Sequence, residues 1–255
     1  MRLLHISDIH YRKEFSNKNV YESILSNMDS SFYRLKNLIN SINDVDCIAV
    51  TGDLCDDGDS DDYSVLKEYL DGLNIPYVVC LGNHDDKRAF YKGWLNIDSN
   101  KPYMGIRVID GISFVYFDNS EYGYSNGYID NDRINWLSDA LDKYPNSVIL
   151  MHHQLYDMPG IPGLENRDSL VDLLNNKKVL AVLCGHTHWF KKDGNFYTAP
   201  SVSFRAINGK DEVIFSQSKG YCLYSILGDS IELIGENEKE EKFLGAWDPK
   251  KSKLF

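Results

Sequence analysis

Basic residues are in short supply in this chain: 27 Lys and Arg stand against 38 Asp and Glu, a formal net charge of −11. Binding to DNA or RNA draws much of its strength from phosphate neutralisation by Lys and Arg. Nucleic acid is therefore disfavoured as the main partner, whereas a small anionic substrate fits if cations in a site supply local positive charge. The chain also lacks any apolar run approaching the roughly 20 residues that a helix needs to cross a bilayer. Met1–His10 has no charged region followed by a long apolar stretch, so nothing there reads as a secretory signal. A disulfide framework is missing too. The five cysteines (Cys47, Cys55, Cys80, Cys184 and Cys222) are odd in number, and four lie in or beside apolar runs. That pattern fits free, buried thiols in a reducing compartment. The expectation is a cytoplasmic protein without membrane association, monomeric or homodimeric, folded as a single domain over residues 1–255.

What is present is a repeated alternation. Short Val/Ile/Leu-rich runs occur at Leu3–Ile6, Cys47–Val50, Tyr77–Leu81, Val148–Met151 and Val179–Cys184. Their length and composition suit strands buried on both faces. Between them lie amphipathic stretches: Phe32–Ile42, Tyr63–Leu73 and Ile134–Leu141 each place Leu and Ile on one face. Strands alternating with helices argue for βαβ units and a largely parallel central sheet. Met104–Phe117 reads instead as a hairpin about Asp110-Gly111. From Phe190 onward the chain also reads as β, with turns at Asp193-Gly194 and Gly228-Asp229, which implies a second, more antiparallel sheet. Tyr11–Met28 reads as irregular, and the charged tail after Glu236 as loosely held.

The chemistry lies where the histidines fall. Six of the seven follow the C-terminal end of an apolar run, the edge at which open α/β sheets bind ligands. Their neighbours form a series: Asp8-Ile9-His10, Gly52-Asp53, Gly82-Asn83-His84-Asp85, His152-His153 and Gly185-His186-Thr187-His188. Residues two apart in an extended segment point the same way, so Asp8 with His10, and His186 with His188, can address one cluster. The glycines suit tight turns leaving the strands. Carboxylate, imidazole and amide oxygen together suit Mn, Fe, Zn or Ni better than Ca or Mg. Two ions about 3.5–4 Å apart need a bridging group, and Asp53, in the middle of the series, is the candidate.

In this order the motifs resemble those of the calcineurin-like metallophosphoesterase superfamily: D-x-H, G-D, G-N-H-D/E, H and G-H-x-H, spread over residues 1 to 205, with residues 206–255 adding a β hairpin and tail. The resemblance implies an α/β fold, a four-layer α/β/β/α sandwich of two mixed sheets flanked by helices. It implies two divalent or trivalent metal ions, one held by Asp8, His10, Asp53 and His188, the other by Asp53, Asn83, His152 and His186. His152 is chosen over His153 because it comes first off the strand. His84 is then the general acid beside the phosphate and Asp56 the group that orients it. The resemblance further implies hydrolysis by in-line attack of a hydroxide held between the metals. Gln154 stands where family members commonly have proline. Softer features, Leu4-His5-Ile6-Ser7-Asp8, Asn135-Trp136-Leu137 and Ala199-Pro200-Ser201, resemble the class III cyclic-nucleotide phosphodiesterase-like group.

Small phosphodiesters, cyclic nucleotides among them, are the substrates so implied. His153, Trp189 and Arg205 are candidate substrate contacts. His5, inside the first strand, reads as a core or supporting residue, and the acidic run Asp56–Asp62 as a solvated loop opening a helix, Asp56 apart. Two alternatives differ in class. A DNA exonuclease of the same superfamily needs a basic groove, against which the acidic balance counts. A non-catalytic metal-binding scaffold has no need of the full ligand set retained here. Protein phosphatases of the superfamily carry G-D-x-x-D-R-G, and this chain has Asp57-Gly58 without the arginine.

Overall fold

The structure, a computed structural model, describes residues 1–15, 17–158 and 161–254. Ser16 in the Tyr11–Met28 stretch, Pro159, Gly160, and Phe255 in the charged tail lie outside the described residues. The chain begins with three parallel strands, β1 (Arg2–Ile6), β2 (Cys47–Thr51) and β3 (Tyr77–Cys80). It then builds a second sheet from β4 (Gly105–Ile109), β5 (Ile112–Tyr116), β6 (Ser147–Leu150), β7 (Val179–Cys184), β8 (Lys191–Asp193) and β9 (Phe196–Thr198), in the spatial order β4-β5-β6-β7-β9-β8. Strands β5, β6, β7 and β9 are parallel, and β4 and β8 close the edges antiparallel. Finally β10 (Phe204–Asn208), β11 (Val213–Leu227) and β12 (Ser230–Trp247) return to the first sheet, β11 pairing antiparallel with β1, β10 and β12.

Strand parity explains the layering. Side chains alternate across a strand, so each apolar run serves two cores. Leu3, Cys47, Ala49, Val148, Leu150, Ala181 and Leu183 meet between the sheets. Their neighbours Leu4, Ile6, Ile48 and Val50 face outward onto helices α2 (Ser31–Asn40) and α3 (Ser60–Gly72), which follow the short α1 (Val20–Leu25). On the other side Ile149, Val182 and Cys184 face α5 (Asn131–Lys143) and α6 (Asp168–Asn175), α4 (Lys87–Phe90) having passed into a π-helical turn at Tyr91–Leu95. The result is the four-layer α/β/β/α sandwich. Two residues of the acidic run cap a helix: the Asp59 side chain accepts from the Asp61 and Asp62 backbone, and Asp62 returns the bond to Asp59 N–H, a capping box.

Three local expectations change. The β structure after Phe190 is not one antiparallel sheet: β8 and β9 extend the second sheet, and β10–β12 join the first. Turn chemistry marks the hairpins but not the sheet each one joins, which depends on distant pairing. The charged tail continues as strand to Trp247, because β12 is held by backbone pairing to β11 along its length, with irregular register at three points. The stretch read as irregular contains α1, whose Asn19 cap accepts from Glu22 N–H. All five cysteines are buried and free.

His5 is a supporting core residue. It is fully buried, with Nε2 2.9 Å from Thr51 Oγ1 and Nδ1 3.4 Å from the Tyr224 hydroxyl. Burial is the largest influence on it and lowers its pKa to about 3. An unfolded histidine titrates near 6.5, so below that pH the unfolded chain takes up a proton that the folded one refuses. This contribution to stability is present above pH ~6.5 and is lost as pH falls toward 3, by up to about 1.4 kcal/mol per pH unit. Urea unfolding across that window should therefore show a shallower pH slope for His5→Gln than for wild type. Equal slopes would assign the titration to another group.

Candidate metal centre

The candidate ligand residues sit in turns just beyond the strand ends, and their backbone is unusual. Asp8, His10, Asp53, His186 and His188 have φ of 54°, 47°, 47°, 67° and 61°. Left-handed backbone at residues other than glycine costs of order 1–3 kcal/mol each and persists only where the surroundings impose it. Here Asp8 N–H donates to Gly52 O at 3.1 Å and His10 N–H to Asp53 O at 2.9 Å, which locks the first two turns together. Asp8 and His10 thus converge through left-handed turns and not through extended alternation. Of the glycines, Gly52 has φ of 83°, and a Cβ there would also strike the His152 ring. Gly82 is needed for closeness: a Cβ on it would fall on the Asp53 carboxylate.

Asp53 Oδ2 lies 3.5 Å from His10 Nε2 on one side and 3.2 Å from His152 Nε2 on the other. His188 Nε2 is 3.3 Å from Asp8 Oδ1 and 3.2 Å from His10 Nε2. Asp8, His10, Asp53 and His188 each offer a donor atom within 4.8 Å of the others, and so, in a second group, do His152, His153 and His186. Asn83 Oδ1 and His153 Nδ1 are buried with no hydrogen-bond partner. A buried acceptor left unmade is costly, and lone pairs from carboxylate, amide and imidazole converging on one spot are what a transition-metal cation satisfies. The residues present therefore fit transition-metal ions, His10, Asp56 and His84 forming a third such group.

Supporting groups aim these ligands. Thr51 O lies 2.7 Å from His152 Nδ1, Phe204 O 2.7 Å from His188 Nδ1, and Asp56 Oδ1 3.2 Å from His10 Nδ1. An acceptor at Nδ1 fixes the proton there and leaves the Nε2 lone pair directed inward. His186 N–H donates to Asp8 Oδ1 at 3.1 Å, and the Ser201 and Ser203 hydroxyls donate to Asp8 O at 3.0 and 2.7 Å. Asn119 Oδ1 accepts from His152 N–H and His153 N–H, both at 3.1 Å, while its Nδ2 donates to His153 O at 2.8 Å. Asp85 accepts from the backbone of Leu54, Cys55 and Gly82 and from the Tyr63 hydroxyl. The sequence reading missed Asn119, Ser201 and Ser203 in these roles. For Asn119 a signal existed: Asp118-Asn119-Ser120 follows an apolar strand just as the histidines do.

Burial works against charge on Asp53, yet the facing His152, His84 and His10 outweigh it and hold Asp53 well below the usual carboxylate range. Burial likewise opposes protonation of His84, but Asp53 and the hydrogen bond to Asp56 raise it to about 10. His84 Nδ1 is 2.8 Å from Asp56 Oδ1, which also accepts from the Tyr21 hydroxyl at 3.2 Å. His153 is brought beside the second group, its ring 4.3 Å from that of His186 and its Nε2 3.2 Å from Ser125 O. His152, not His153, is the member paired with Asp53. Arg205 and Trp189 pack on each other, with the guanidinium 4.5 Å from the ring centroid, and Arg205 pairs with Glu238 at 3.7 Å.

The family model described as calcineurin-like phosphoesterase matches residues 1–190. A probable glycerophosphodiester phosphodiesterase of Arcobacter nitrofigilis is 28% identical over 201 residues, covering 74% of this chain and 72% of its own length. A probable cyclic nucleotide phosphodiesterase of Xenorhabdus bovienii is 26% identical over 240 residues, covering 87% and 94%. Among solved structures, a purple acid phosphatase from yellow lupin (Lupinus luteus) seeds superposes with a TM-score of 0.56 at 14% identity, over 91% of this chain and 51% of that one, a likeness of fold.

Asn119 gives a test of the supporting layer. Asn119→Ala removes the acceptor of two backbone amides and should weaken Mn binding by about 10–100-fold, the usual effect of losing an outer partner, as measured by titration calorimetry. Unchanged affinity would show that the His152-His153 turn holds its shape unaided.

Proposed function

Because the chain belongs to the calcineurin-like phosphoesterase family, we propose that it hydrolyses small phosphodiesters, cyclic nucleotides among them, at two transition-metal ions (Mn, Fe, Zn or Ni) that share Asp53. The observation that carries this reading is the position of Asp53 Oδ2 between His10 Nε2 and His152 Nε2. Asp8, His10, Asp53 and His188 would hold one ion, and Asp53, Asn83, His152 and His186 the other. When bound, the ions lower the pKa of a water and neutralise phosphate oxygens.

The protein's own groups do the rest. His84 is about a fifth exposed (22%), whereas the Asp53 and Asp8 side chains are 2% and 0% exposed. Against His10, His152 and His188, whose side chains are 1%, 0% and 12% exposed, it is the more open imidazole and the one this reading sets toward an incoming ester. Asp56 fixes its Nδ1, so Nε2 faces the leaving oxygen. As the P–O ester bond breaks, His84 gives its proton to the departing alkoxide, and water supplies the new P–O bond and a proton in return. The β11–β12 hairpin is part of the same unit in this reading, since β11 pairs with β1, the strand that delivers Asp8.

The names of the relatives support a diester. The net charge of −11 works against a DNA exonuclease, and the complete ligand set works against a non-catalytic scaffold. Among the described residues no helix is long and apolar enough to cross a membrane.

His84→Ala should keep its metal content while turnover of bis(p-nitrophenyl) phosphate with Mn present falls by about 10²–10⁴. Equal rates would refute the general-acid role. A panel of cyclic nucleotides, glycerophosphodiesters and duplex DNA should show the small diesters cleaved and the duplex left nearly intact. Preferential cleavage of the duplex would overturn the substrate class.

A further inference from the structure

A cavity of about 1020 Å³ is lined by Met158, Ile161, Trp189, Phe190, Arg205 and Ile207 among others. Its floor is tied to the cluster. Trp189 follows His188 in the chain and Arg205 follows Phe204, and His188 Nδ1 is hydrogen-bonded to Phe204 O at 2.7 Å. Met158 and Ile161 lie on the loop that follows His152 and His153, bridged to each other through their backbone. The segments that deliver metal ligands therefore also wall this cavity.

The lining has a definite chemistry. Arg205 is buried, 4% exposed, and stacks on the indole of Trp189. Its charge is answered by Glu238, both through the carboxylate and through a hydrogen bond to the Glu238 carbonyl. Its Nε–H is buried without a partner. The cavity is thus apolar-walled, with an aromatic surface, one unused donor and a guanidinium already neutralised. A second anion gains little from such a site, because accepting it would set it against the Glu238 carboxylate. A flat, uncharged ring with an acceptor atom at its edge meets the site's terms: it stacks on Trp189 and can accept from Arg205.

We infer that this cavity binds an aromatic ring carried by the esterified alcohol of the substrate, such as the base borne on the ribose of a cyclic nucleotide, and that Trp189 and Arg205 determine specificity for it. This rests on the phosphodiesterase reading but is separable from it. Adenosine carries the ring without a phosphate, so its binding reports the cavity alone, and inorganic phosphate reports the metal cluster alone. Titration calorimetry on the Mn-loaded full chain should show adenosine binding that weakens by about tenfold in Trp189→Ala and largely recovers in Trp189→Phe. Failure of adenosine to bind wild type, equal affinity in wild type and Trp189→Ala, or a parallel fall in phosphate affinity would each overturn the assignment. Failure of the phosphodiesterase reading would show separately, as absence of turnover on every diester in the presence of Mn.

Discussion

A single buried carboxylate facing imidazoles on two sides is the interaction on which the rest of this structure depends. Asp53 is 1% exposed, and its charge survives burial because His10, His84 and His152 surround it. To assemble that arrangement, strands from both sheets must end at the same edge and turn sharply. The left-handed backbone at five of the candidate ligands is the local cost, of order 1–3 kcal/mol apiece. The layers behind the site offset it: strands whose alternate faces feed two cores form a rigid base from which the turns project. The sandwich is in this sense a device for holding a strained set of loops still.

The alternation of apolar runs and amphipathic stretches carried the fold because each strand is buried on both faces, and such strands stand out as continuous Val/Ile/Leu runs. The elements that escaped have weaker signals. α1 is six residues long and α4 four, too short to show a period. β12 carries an unbroken polar and charged run, Glu236–Lys242, along a hairpin held by backbone pairing to β11, so its composition looks like a tail. Which sheet a hairpin joins depends on long-range register, and no local pattern encodes it.

The candidate site gathers residues that the motifs had singled out. Every residue named as a ligand lies in a strand-end turn or beside one, and Asp56 does reach His84. Less accessible were the means of convergence and the outer layer. Alternation along an extended strand predicts that Asp8 and His10 share a direction, but the turns deliver them with φ near 50°. Arg205, a candidate substrate contact, is also paired with Glu238, a residue 33 positions away, through a sheet contact invisible to motif reading. Asn119 likewise acts across the sheet on the His152-His153 turn. Supporting partners are specified by tertiary geometry, so ordinary residue types fill the positions and leave little mark on the sequence.

The central claim, that Asp53 holds two ions at once, is tested most directly by anomalous diffraction from Mn-soaked crystals of the wild-type chain. Data on either side of the Mn absorption edge should show two peaks about 3.5–4 Å apart, with the Asp53 carboxylate touching both, His10 and His188 on one and His152 and His186 on the other. A single peak, or two peaks that Asp53 does not join, would contradict it.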